Sequence, residues 1–313
     1  MTATPLEQAP PALGDGRRLF LKREDLHELG AFKWRGALPT LEAYRAAGAR
    51  AVVTASTGNH GAATAWAAER LGLDAVVYAP EAVSRTKLAL LEAHGAEVRL
   101  VGADLDEAKE QARLYAAEKG VPFFEDGAER AQYEGYGAIA AEILEQADEA
   151  PAAVVVPVGN GALLAGIGLV LCERAAEVGR IGVAAKEAPV MVESWEAGSV
   201  EPSSRSATFA DGLAVRVAIP LAVEVAQAPL GVVHGEVHLE GALVELEHVV
   251  AQPRRAVPPP ERLDDLGRPE VLVEVETRQR TAPARPRPAR SRGPVPPGRR
   301  RIRRRRARPA LSA

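Results

Sequence analysis

Lys33 stands among apolar and small residues in Gly30-Ala31-Phe32-Lys33-Trp34-Arg35-Gly36, shortly after Leu19-Phe20-Leu21-Lys22-Arg23-Glu24-Asp25. An amine taken out of water loses its proton more readily and becomes a nucleophile or base, as Schiff-base chemistry requires. Two glycine-containing loops follow: Ser56-Thr57-Gly58-Asn59-His60-Gly61 and Val158-Gly159-Asn160-Gly161-Ala162-Leu163. In the first, two hydroxyls and an amide sit ahead of a helix, whose free N–H groups and positive dipole end suit a carboxylate or phosphate. In the second, the glycines let successive N–H groups wrap an anion. It carries no P-loop lysine, and Gly159, Gly161 and Gly166 miss the dinucleotide spacing. Taken singly, each feature is also what a snorkelling lysine or a capped strand–helix turn would show. The ring of His60 reads as that of a helix-start residue rather than a proton shuttle.

The elements that must position these groups alternate between strand and helix. Strands are expected over Ala51–Thr54, Asp74–Tyr78, Glu97–Val101, Val121–Phe124 and Val154–Val158. Helices are expected over His60–Leu71 before Gly72, from Ser84 to Gly95, from Asp104 with Glu107 to Gly120, over Gly137–Gln146 and over Gly161–Glu173. The alternation predicts parallel sheets covered by helices.

Composition sets the bounds. The chain has 313 residues, 47% of them hydrophobic and 4% aromatic, so its core must be packed with Ala, Val and Leu. A single cysteine, Cys172, excludes an internal disulfide framework and fits a reducing, cytoplasmic setting. The first residues do not read as a signal peptide. Ala152–Cys172 is uncharged over 21 residues, yet Pro157, Gly159, Gly161, Gly166 and Gly168 break it into strand, loop and helix, so no membrane association is expected. The histidines show no ligand spacing with Cys or paired acids, and no metal is expected. The net charge of −3 hides a split: residues 278–313 hold 14 Arg and no acid, which leaves −17 on residues 1–277.

Together, Leu21-Lys22-Arg23-Glu24-Asp25 with Gly30–Gly36, then Ser56–Gly61, then Val156–Leu163 resemble the fold-type II pyridoxal-phosphate enzymes. They are most similar to the serine/threonine ammonia-lyase (threonine dehydratase) group. Weaker matches are Glu134-Gly135-Tyr136-Gly137 before Glu142-Ile143, and Phe209–Val215. The resemblance runs from about residue 15 to 220, in family order. It implies a two-domain, tryptophan synthase β-like α/β fold. A large domain would combine 1–43 with 146–225, and a small one would span 44–145. It implies pyridoxal 5'-phosphate held as a Schiff base on Lys33, with Asn59 on the phenolate oxygen and Gly159, Asn160, Gly161, Ala162 and Leu163 around the phosphate. Ser56, Thr57, Gly58, Asn59 and His60 would receive the α-carboxylate of a small amino acid. The implied reaction converts L-threonine or L-serine to a 2-oxo acid and ammonia, and a homodimer is implied by the resemblance alone. Ala31, Thr57 and the Gly-Asn-Gly-Ala form of the third loop depart from the commonest pattern. They leave threonine synthase-like or serine racemase-like outcomes open.

The resemblance stops near 225. A Ser-Gly-Gly-Asn-like strand that would face the pyridine nitrogen is not found, and 226–277 reads as irregular. Residues 278–313 read as a disordered Arg/Pro-rich tail. The abrupt change suggests a stretch out of frame, or replaced, starting between Ala226 and Pro253; one continuous frame on resequencing would remove that idea. Arg-rich tails bind nucleic acid through phosphates, but this one lacks interleaved aromatics and follows an acidic body. Nucleic-acid binding by a catalytically impaired protein therefore ranks behind the enzyme.

Overall fold

The computed structural model describes residues 2–14, 18–201, 206–208, 210–227, 248–251 and 270–274. In chain order its elements are β1 (Leu6–Gln8), α1 (Pro11–Gly14), β2 (Leu19–Arg23), α2 (Trp34–Ala46), β3 (Ala51–Ala55), α3 (Asn59–Leu71), β4 (Asp74–Ala79) and α4 (Arg85–Glu92). There follow β5 (Glu97–Leu100), α5 (Leu105–Lys119), α6 (Arg130–Gln146), β6 (Ala153–Val158), α7 (Ala162–Arg174), β7 (Gly179–Ala184), α8 (Val190–Ala197), α9 (Pro220–Gln227), β8 (His248–Ala251) and β9 (Glu270–Glu274).

The strands form two sheets. One is three-stranded and parallel in the order β3-β4-β5; the other is six-stranded in the order β1-β2-β9-β6-β7-β8, parallel from β2 to β7 with antiparallel edges. The smaller sheet lies wholly within residues 44–145. Its helices start and stop where local chemistry dictates. Ser84 caps α4 by accepting from Lys87 N–H, and Asp104 caps α5 by accepting from Asp106 and Glu107 N–H. Gly72 and Gly120 end α3 and α5 in the left-handed conformation.

Four expectations differ from the structure. Val121–Phe124 does not form a fourth strand: Pro122 has no N–H to donate, and the segment makes only an isolated bridge between Phe123 and Val53. Helix α6 begins at Arg130 rather than Gly137, because Glu129 and Gln132 close a capping box one turn before the glycines. It also packs into the core of the larger sheet, although it falls within 44–145. Tyr133, Tyr136, Ile139 and Ile143, three or four apart on one face, meet Val154, Val156, Ile167 and Leu171. Within 226–277, read as irregular, the chain forms β8 and β9. The apolar run Val271-Leu272-Val273 gives β9 its place between β2 and β6. Phe209 of the weaker motif, and the Arg/Pro-rich tail over 278–313, lie outside the described residues.

Candidate active site

Lys33 is the residue immediately before α2, and its side chain is only 15% exposed. Its Nζ lies 5.0 Å from the centre of the Phe32 ring and 5.9 Å from that of Tyr136. The amine expected from sequence to be simply desolvated instead meets a carboxylate: Asp126 Oδ1 and Oδ2 lie 2.9 and 2.6 Å from Nζ.

Asp126 was not foreseen, and it joins the three motifs. Its Oδ1 is 3.6 Å from Nδ1 of His60, from the second loop, and its backbone carbonyl accepts from Asn160 Nδ2 (3.2 Å), from the third. Gln132, fully buried, holds the turn that carries it: Gln132 Oε1 accepts from Gly127 N–H (2.8 Å). Burial by itself would raise the Asp126 carboxyl, but the Lys33 ammonium foremost pulls it down to about 2, so it is ionised at any neutral pH. Its place, two residues past the expected strand 121–124, agrees with the rule that α/β folds put ligands at the carboxyl ends of strands, but nothing in the chain singled it out.

In the second loop, Ser56 is buried and its Oγ accepts from Gly58 N–H (3.2 Å), leaving the hydroxyl proton to donate. Asn59 is the first residue of α3, and its side chain makes no hydrogen bond among the described residues. The N–H groups of Asn59, His60 and Gly61 lie in the first turn, where helix geometry leaves them without intrahelical partners. The His60 ring points inward and packs 4.6 Å from Phe124. What His60 can offer a carboxylate is therefore its backbone N–H, not its imidazole.

The third loop leaves β6 and enters α7. Gly161, at φ +83°, is the residue before α7, a conformation that costs a side chain about 1 kcal/mol or more. A Cβ on Gly159 would come within 3.0 Å of Gly212 O and 3.4 Å of Leu213 Cα, so only glycine lets that neighbouring segment close over the loop. Asn160 Oδ1 takes Ala162 N–H (3.2 Å), while the side chains of Ala162 and Leu163 are buried in the core. The loop thus offers backbone N–H groups at a helix start and no side-chain charge, a donor set that suits a phosphate. A nearly enclosed lysine, a loop of backbone N–H groups and a second helix start with hydroxyls are the parts that a phosphorylated aldehyde and an amino acid would need.

Similarity to known proteins agrees with this donor set. Residues 1–254 match the family described as pyridoxal-phosphate dependent enzyme, beyond the point near 225 where the motifs end. The chain is 36% identical over 202 residues to L-threonine ammonia-lyase of Geobacter sulfurreducens, covering 64% of this chain and 50% of that protein. It is also 36% identical over 202 residues to the biosynthetic L-threonine dehydratase of Pasteurella multocida, covering 64% and 39%. The structure of processed threonine deaminase isoform 2 from Solanum lycopersicum superposes with a TM-score of 0.69 at 32% identity, covering 72% of this chain and 66% of that one. The chain therefore belongs to the pyridoxal-phosphate-dependent enzymes, with the fold-type II architecture. It spans half or less of the length of these two curated relatives. No helix among the described residues is long and apolar enough to cross a membrane; the uncharged stretch 152–172 is β6, a loop and most of α7.

Proposed function

We propose that this protein is a pyridoxal-phosphate-dependent ammonia-lyase that converts L-threonine or L-serine to a 2-oxo acid and ammonia. The observation that carries this reading is the Lys33 amine, nearly enclosed and linked through Asp126 to both anion-binding loops. The names of the similar proteins support the choice of substrate.

The roles follow from the groups on hand. Lys33 holds the cofactor covalently through Nζ. Backbone N–H groups from Gly159 to Leu163, at the start of α7, take its phosphate. Asn59, whose amide is uncommitted, donates to its phenolate oxygen. Ser56, Thr57, Gly58 and the first N–H groups of α3 up to His60 take the substrate's α-carboxylate, where the helix dipole adds to the hydrogen bonds. Bound there, pyridoxal phosphate supplies the electron sink that lets a Cα proton be lost and a β-hydroxyl leave. Lys33 Nζ, once freed, removes that Cα proton, as an amine shielded from water by Phe32 and Tyr136 is able to do.

An absorption spectrum of the purified full-length protein with pyridoxal phosphate, before and after adding L-threonine, tests this. A protein-bound band in the wild type, absent in Lys33→Ala, and 2-oxo acid formed from L-threonine or L-serine are expected. Absence of the band in the wild type refutes the cofactor role of Lys33; a band without product from either amino acid refutes the lyase activity.

A further inference from the structure

The roles above leave the buried ring of His60 unused. Its surroundings fix its proton. Thr54 Oγ1 donates to Phe124 O (2.7 Å), and both oxygens then face His60 Nε2, at 3.1 and 3.2 Å. A carbonyl oxygen only accepts, so Nε2 carries the hydrogen and Nδ1 is the bare nitrogen of the neutral ring. That Nδ1 lies 3.6 Å from Asp126 Oδ1, the oxygen that is also 2.9 Å from Lys33 Nζ. A lone pair facing a carboxylate is repelled by it unless a cation stands close by or the nitrogen takes a proton. With Lys33 docked, the ammonium is that cation.

Given that Lys33 is the reactive lysine, we propose that Lys33, Asp126 and His60 form a charge relay in which Asp126 always keeps one cation beside it. That cation is the Lys33 ammonium while the amine is docked, and the His60 imidazolium once the amine has left. One proton is involved: an Nζ–H bond breaks on Lys33, an Nδ1–H bond forms on His60, and the cluster's net charge does not change. Asp126 and His60 act through Lys33 and are positioning residues. His60 stores the proton that the amine sheds before it can serve as a base.

The charges that face the His60 ring agree with this direction. Burial pushes its pKa down, Asp126 pushes it up, and the charges of Lys33 and Lys109 push it down. Lys109, on α5, is itself paired with Glu125 at 3.0 Å. Taking away the Lys33 charge removes the nearest repulsion and leaves Asp126 with no lysine partner.

The ring 15N shifts of His60, followed by NMR in full-length protein as pH is varied, test the relay. In cofactor-free wild type, His60 is expected to be neutral at pH 7 with its hydrogen on Nε2. In Lys33→Met, and in wild type loaded with pyridoxal phosphate, its titration midpoint is expected to rise by at least about one unit, the mark of coupled sites. In Lys33→Met/Asp126→Asn it is expected to fall back. An unmoved midpoint in the loaded wild type or in Lys33→Met overturns the relay, as does a hydrogen on Nδ1 in the cofactor-free wild type. Loading is read separately from the absorption band. A missing band therefore counts against the cofactor role of Lys33, whereas an intact band with an unmoved His60 counts against the relay alone. Should the variants not fold, the two wild-type measurements still decide.

Discussion

Lys33 and Arg35 lie two residues apart at the start of α2, and each anchors a set of charges, the Arg35 set buried and the Lys33 set half-buried, but the sets differ in what they leave over. Arg35 is saturated. Its Nε and Nη2 bond Glu24, its Nη1 and Nη2 bond Glu142, and Nη2 also reaches Thr4 Oγ1. Lys22, fully buried, completes the set on Glu142 and the Thr4 carbonyl. Two cations and two carboxylates cancel, and the set ties β2, α2, α6 and the N-terminal segment together. Burial lowers the Lys22 pKa, while the paired guanidinium holds Glu142 below its ordinary value despite its own burial. The Lys33 set is also neutral, with one cation, one carboxylate and an uncharged imidazole, but it keeps a bare ring nitrogen and a partly exposed carboxylate. The lesson is physical: a saturated network holds structure, and one with an unfilled proton site is able to do chemistry.

Arg35→Leu tests that contrast hardest. It strands Glu24 and Glu142 without a guanidinium, and a loss of about 3–5 kcal/mol of stability is expected, measured by urea denaturation. An effect below about 1 kcal/mol would show that the set is not structural. Lys33→Ala is expected to do the opposite, costing roughly 1 kcal/mol of stability while reducing 2-oxo acid formation to background. Asp126→Asn isolates the pH response. The Asp126 carboxyl is held at about 2 against an ordinary 3.8, so the stability it contributes is fully present above about pH 4 and is lost as pH falls through about 2. The variant's stability is expected to fall less steeply below pH 4 than that of the wild type, as followed by acid titration with circular dichroism. Thr4→Val should have the smallest effect. It removes the hydroxyl that donates to Glu24 (2.6 Å) and accepts from Arg35 (3.0 Å), for about 1 kcal/mol in the melting curve and no change in the absorption band.

Much of the site was legible because its chemistry depends on backbone that local sequence dictates. Gly58 and Gly161 precede helices, Gly72 and Gly120 end them, and the apolar runs of β3 and β4 in one sheet and β6 in the other mark buried parallel strands. Asp126 was not legible, because nothing in Phe124-Glu125-Asp126-Gly127 distinguishes a surface turn from a carboxylate aimed at a lysine 93 positions earlier. The capping box at Glu129 and Gln132 was present in the chain but overshadowed by the glycines of Gly135 and Gly137, which pushed the expected start of α6 too late. β9 escaped notice because a three-residue apolar run between two glutamates becomes a strand only when β2 and β6 stand on either side of it.

The sequence by itself determined most of the succession of strands and helices and the two glycine loops ahead of α3 and α7, since capping, glycine conformations and hydrophobic period act over a few residues. Only the tertiary structure decided what the lysine faces. Asp126 and His60 come from separate segments of the chain, and their charges and lone pairs act on Lys33 through distances of 2.6–3.6 Å that folding alone creates.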